Sequence, residues 1–174
     1  MIFRLEILSR MLNFLRSIVR RLLGVDDAAN LFFRCTSEGF AGSPTLQEIG
    51  VTPVSTDPVV ATIFATEAEN YGRGVFHIAS RNDLAAVEIL QGNVLADLER
   101  EVGINRLPAE FARRASLTIT VSQARGILAS MGIRIQSSIR GPTGVDAALR
   151  ATPRLTPEQI QAFLIAARNF ERET

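Results

Sequence analysis

A chain of 174 residues, 47% hydrophobic and 21% charged, can bury one hydrophobic core and is too apolar to be disordered. One cysteine, Cys35, excludes an internal disulfide; with His77 as the only histidine there is no donor set for zinc, and no metal is expected. All 19 basic residues are arginine, which removes a Schiff-base lysine and a phosphate-loop lysine; codon bias is the simpler account of the missing lysine, avoidance of lysine modification the other. The net charge of +1 is uneven. Arg4, Arg10, Arg16, Arg20 and Arg21 against Glu6 leave +4 on residues 1–24 and −3 on the remainder. An acidic body is not the footprint of nucleic-acid binding. No apolar run reaches the roughly 18 residues a membrane span needs.

In chain order, residues 2–23 read as a helix. Leu5, Leu8, Leu12, Leu15, Val19 and Leu23 recur on one side, while Ser9, Asn13, Arg16, Ser17 and Arg20 fall opposite. Such a basic amphipathic helix suits an anionic membrane surface or a partner helix, and its interrupting arginines speak against a signal peptide. Leu31-Phe32-Phe33-Arg34-Cys35-Thr36 has the bulk of a strand. Thr45 with Glu48 reads as a capping box ahead of a small helix stopped by Gly50. Residues 51–55 return as a strand. Thr56 or Asp57 then caps a helix with Pro58 in its first turn, ending near Gly72, and residues 75–79 form the next strand.

The segment 82–104 is open. Leu84, Val87 and Leu90, then Val94, Leu95, Leu98 and Val102, are spaced as a helix would have them. Pro108 begins a short helical piece, 117–121 alternates as a strand, and Ser122 caps a helix that ends at Gly132. Residues 133–135 suit a short strand. Gly141-Pro142 reads as a break before a short helix at 145–149 that Pro153 ends. Thr156-Pro157-Glu158-Gln159 starts a last helix with Ile160, Phe163, Leu164, Ala167 and Phe170 on one face. Strands interleaved with helices give an α+β class. The expected organisation is a helix at 1–24 and a single domain at 30–174, with a core at 31–121 and a helical part at 122–174.

Three segments stand out for chemistry: Leu31-Phe32-Phe33-Arg34, then Pro53-Val54-Ser55-Thr56-Asp57 before a helix holding Ala61 and Phe64, then Glu99-Arg100-Glu101-Val102. Their order resembles the Arg–Ser–Glu branch of the ADP-ribosyltransferase superfamily. In that family an aromatic-rich first strand ends in arginine, a Ser-Thr-Ser element precedes a helix, and a Glu-x-Glu pair precedes a later strand. Pro-Val-Ser-Thr-Asp stands here where the family has Phe-Val-Ser-Thr-Ser. The resemblance covers about residues 31–121 and implies a mixed β core of the ADP-ribosyltransferase type with flanking helices.

It implies NAD as a substrate and no metal. The chemistry is ADP-ribosyl transfer to a protein acceptor, or NAD hydrolysis, as in bacterial toxins and effectors. Arg34 would grip the diphosphate with Thr36 and Thr56 nearby, and Phe64 and Tyr71 would stack on nicotinamide. Glu101 would steady the ribose cation, Ser55 would orient it, and Glu99 would activate the acceptor, with Glu110 in reserve. The implied partners are the acceptor, a cognate inhibitor and, through residues 1–24, a membrane surface or a partner helix. The implied location is the cytoplasm of the producing or the target cell, reached in the second case by delivery, with peripheral membrane association through the helix.

The same residues also have plainer readings. Ser-Thr-Asp-Pro caps a helix without any function, Arg34 serves as a surface charge, and both glutamates sit on a solvated helix face. His77 reads as a core or edge histidine, Cys35 as buried packing and Arg113-Arg114 as a solvated pair. The rival function is a non-catalytic module whose leading helix does the docking.

Overall fold

The computed structural model describes residues 30–37, 50, 52–84, 89–91, 101–104 and 108–172. The leading helix read at 2–23, the capping box at 45–48 and Glu99 lie outside these residues.

Bulky runs become strands where both faces can be buried. Leu31–Ser37 is β1, Thr52–Ser55 is β2 and Gly74–Ser80 is β3. Ile89–Gln91 is β4, Glu101–Ile104 is β5 and Leu117–Thr120 is β6. Together they make one six-stranded sheet in the order β4-β5-β2-β1-β3-β6. Every described pairing is antiparallel, where a mixed sheet was expected. The open segment 82–104 is settled at two places. Residues 89–91 and 101–104 are extended, because Val102-Gly103-Ile104 ladders onto β2 and carries Ile89-Leu90-Gln91 on its far side. Gly103 is a poor helix residue, and the flanking β-branched side chains favour the pleat.

The helices follow their caps. Helix α1, Pro58–Ala68, starts at Asp57, whose carboxylate accepts from the Val59 amide at 2.9 Å. It is buried nearly all round, as the short apolar residues of its sequence allow. Its two interior threonines satisfy their hydroxyls by donating to the carbonyls one turn back, Thr62 to Pro58 and Thr66 to Thr62. A 3-10 turn, Glu69–Tyr71, follows. The short helix α2 is Pro108–Arg114 and α3 is Val121–Ser130. The cap of α3 is Thr120, not Ser122: Gln123 reciprocates by accepting from the Thr120 amide, completing a capping box that starts two residues earlier than the expected cap.

After α3, Gly132 takes φ +82°, a conformation that glycine adopts without strain, and the Ile133 amide closes back on the Leu128 carbonyl. Residues 133–135 do not form the expected strand. Ile133 and Ile135 instead anchor an irregular segment to the core. Pro142 opens a helix rather than breaking the chain, so α4 runs over Gly141–Ala151. The last helix, α5, is Pro157–Arg172, capped by Thr156 and Gln159 as its sequence predicts.

Packing divides the sheet by its faces. Phe33, Phe76 and Ile78 point to one side and join Val59, Ile63, Leu128, Val145, Phe163 and Leu164 in the larger core. Within it Phe33, Phe76 and Phe163 meet with centroids 6.0 to 6.1 Å apart, the Phe33–Phe163 pair edge-on. Helices α3, α4 and α5 thus belong to the same core as the sheet. On the other side Phe32, Val54, Ala79, Leu84 and Ile104 pack with Phe111 of α2. Among the described residues, no helix is long and apolar enough to cross a membrane.

Candidate functional site

The three chemistry-bearing segments meet laterally. Ser55 closes β2 and is the register partner of Phe33 on β1 and of Glu101 on β5. Arg34, next to Phe33, therefore stands one row further in. Segments distant in sequence are gathered across three adjacent strands, a span of about 10 Å. Just past Ser55 the chain leaves the sheet for α1, at the end of the sheet where β1 and β5 begin.

The rows alternate faces, and this sets Arg34 apart from Ser55. Ser55 shares its row with Phe33 on the α1 side. Arg34 lies two residues beyond Phe32 and opposite His77, hence on the α2 side. The two side chains assigned to one ligand by the resemblance thus lie on opposite faces of the sheet.

The β1–β2 seam is thin, for a reason visible in the sequence. Pro53 has no N–H. Its carbonyl accepts from Arg34 Nη1 at 2.7 Å, so it faces β1, and the missing donor faces β1 as well. The ladder there is reduced to the one registered pair, Phe33 with Ser55. Arg34 replaces the lost ladder bond with its side chain. Burial lowers its pKa from the ordinary guanidinium value.

The other predicted site residues fall as follows. Ser55 is buried, and its hydroxyl oxygen accepts from the Asp57 amide at 3.1 Å. Thr56 is half-buried in the turn between Ser55 and Asp57. Thr36 lies on the Arg34 face, with its hydroxyl 3.2 Å from His77 Nε2. Phe64 packs against the larger core from α1. Tyr71 is 56% exposed beyond the far end of α1. An 11-residue helix is about 16 Å long, so Tyr71 and Ser55 cannot both touch one nicotinamide ring. Glu110 lines an open depression with Arg113 and Arg114 on α2, the Arg34 side of the sheet.

Two features escape a reading for motifs. The first is Asp57, fully buried, with its second carboxylate oxygen accepting from the Leu155 amide at 3.1 Å. It ties the start of α1 to the segment before α5, and a bare N-cap signal does not reveal that reach. The second is His77, whose Nδ1 lies 3.2 Å from the Thr118 hydroxyl. Thr36, His77 and Thr118 make a polar file across β1, β3 and β6.

Burial, then the nearby Arg34 charge, lowers the His77 pKa from 6.5. The folded protein thus keeps this imidazole neutral where the unfolded chain takes up a proton. Its contribution to stability is complete above pH 6.5 and is lost as pH falls through the folded value. The urea midpoint is expected to drop between pH 7 and pH 5 in the native chain and to stay flatter over that range in His77→Gln.

Cys35 packs its thiol against the larger core, and burial pushes its pKa up to about 11. Iodoacetamide at pH 8 is expected to alkylate the native protein roughly a hundredfold more slowly than the urea-unfolded chain. A scan against protein-family models, curated proteins and solved structures finds no match for this chain.

Proposed function

We propose that this protein splits NAD, transferring ADP-ribose to a protein acceptor or, without one, to water. The observation that carries the reading is the pairing of Ser55 on β2 with Glu101 on β5, beside the strand β1 that bears Arg34 on its other face. A mere helix cap at Ser55-Thr56-Asp57 has no need of a glutamate on the adjoining strand. The extended backbone at Glu101 also favours this reading over solvated helix charges.

In this reading the Arg34 guanidinium holds diphosphate oxygens on the α2 side by charge-assisted hydrogen bonds, giving up the Pro53 carbonyl as it does so. The ribose–nicotinamide bond breaks with both electrons leaving on nicotinamide, and an oxocarbenium-like ribose remains. Glu101 stabilises that cation and the ribose hydroxyl, as a carboxylate does in glycoside cleavage. Glu99 or Glu110 takes the proton of the attacking nucleophile. The delivery or docking role belongs to residues 1–24, and toxin or effector use follows from the resemblance alone.

The test is nicotinamide release from NAD by the purified chain, with and without a mixture of acceptor proteins. Release is expected, and it should persist when residues 1–24 are deleted. Folded protein that releases no nicotinamide under either condition overturns the reading; binding to anionic vesicles that tracks residues 1–24 would then favour the docking module.

A further inference from the structure

Asp57 is fully buried, and each of its polar groups meets a different partner. One carboxylate oxygen accepts from the Val59 amide at 2.9 Å and the other from the Leu155 amide at 3.1 Å. Its carbonyl accepts from the Ala61 amide at 3.2 Å. Its own amide donates to the Ser55 hydroxyl oxygen at 3.1 Å. A helix cap needs the first of these carboxylate oxygens and not the second. The second reaches from the start of α1 to the joint between α4 and α5, 98 residues along the chain.

The consequence falls on Ser55. A hydroxyl whose oxygen is held as an acceptor sends its own proton to another partner, so the Asp57 amide limits the directions in which Ser55 donates. The place of that amide depends in turn on the two anchors of the Asp57 carboxylate. Helix α5 also reaches the same row of the sheet by packing. Phe163 meets Phe33 edge-on with centroids 6.0 Å apart, and Phe33 is the register partner of Ser55 on β1. On its other side Ser55 is paired with Glu101 on β5. The C-terminal helical part thus bears on Ser55 along a hydrogen-bonded path and along a packed one.

We propose that Asp57 is a positioning residue for the Ser55 hydroxyl, and that through it the α4–α5 joint sets the geometry where Ser55 pairs with Glu101. The assignment rests on the reading of Ser55 and Glu101 as parts of the NAD-splitting site. It adds a requirement from outside residues 31–121, because the amide that anchors the second oxygen comes from Leu155. A mere cap would tolerate the loss of that anchor with no change at Ser55.

An ester in place of the peptide bond between Arg154 and Leu155 removes that one N–H and keeps the buried Leu155 side chain. The full-length chain carrying the ester is compared with the native chain by amide hydrogen exchange and by nicotinamide release. Exchange of the Asp57 amide is expected to quicken about tenfold, beyond any change at Ile63 in the middle of α1. In Ser55→Ala that amide has lost its hydroxyl acceptor, so the ester should add little there. In the release assay kcat is expected to fall about tenfold with the KM for NAD nearly unchanged. Asp57→Asn, which retains one accepting oxygen, should move both readouts in the same direction at a temperature where its thermal transition shows it folded.

Native exchange at Asp57 in the ester chain, an acceleration shared equally with Ile63, or an equal acceleration in the Ser55→Ala background would each overturn the proposal. Its failure and that of the enzyme are told apart. Quickened exchange confined to Asp57 in a chain that never splits NAD keeps the hold on Ser55 and removes its catalytic use. Turnover of NAD at the native rate by the ester chain keeps the enzyme and removes the joint.

Discussion

Asp57→Ala is expected to lower the stability of the fold by about 2–4 kcal/mol, read as a shift of the urea midpoint at constant slope. Two losses combine. The Val59 amide loses its cap, worth about 1 kcal/mol. The Leu155 amide, 98 residues away, is left in the interior without its carboxylate acceptor, which costs roughly 1–3 kcal/mol. Asp57→Ser should restore only the first part, because its one hydroxyl oxygen is too short to reach Leu155. Asp57→Asn keeps one acceptor and turns an N–H toward the other amide, so it should fall between. Aspartate at this position thus has a structural reason: its two oxygens fasten the start of α1 to the approach of α5.

The second large effect is on chemistry. Glu101→Gln is expected to cut nicotinamide release by about 10²–10³-fold, the loss typical when a group stabilising transition-state charge is removed. The KM for NAD should change little, since the carboxylate acts on the cation that forms after the bond begins to break. The glutamine is nearly isosteric, so the thermal transition should not move. A variant retaining native turnover would transfer the role away from Glu101, and Glu110→Gln is then the next substitution to assay.

Readability of the sequence followed the kind of signal each residue carries. Caps and proline starts are local, and Pro58 behind Thr56 or Asp57, like Pro157 behind Thr156, marked where α1 and α5 begin. Thr120 was passed over for Ser122 because the alternation of 117–121 carries a strand through it, although Gln123 stands at the capping-box spacing. Within the open segment 82–104 the strands at 89–91 and 101–104 were hidden for a different reason. Its apolar spacing fits a helix, but pairing with β2 is a long-range event that periodicity does not record.

The side chosen by Arg34 was hidden as well. Leu31, Phe32 and Phe33 are all buried because β1 is covered on both faces, so the run has no alternation to show which residues point together. The lateral meeting of β1, β2 and β5 is set by long-range pairing that no local signal records. The opposite facing of Arg34 and Ser55 needed the register.

Pro53 gives the sheet an unequal lateral strength. Three strands on its Glu101 side and three on its His77 side are each laddered internally, while among the described residues the join between them shows one registered backbone pair and the Arg34 side-chain bond. The work of holding the two halves together therefore passes from the backbone to side chains, with Phe32, Val54 and Ile104 packed across that line.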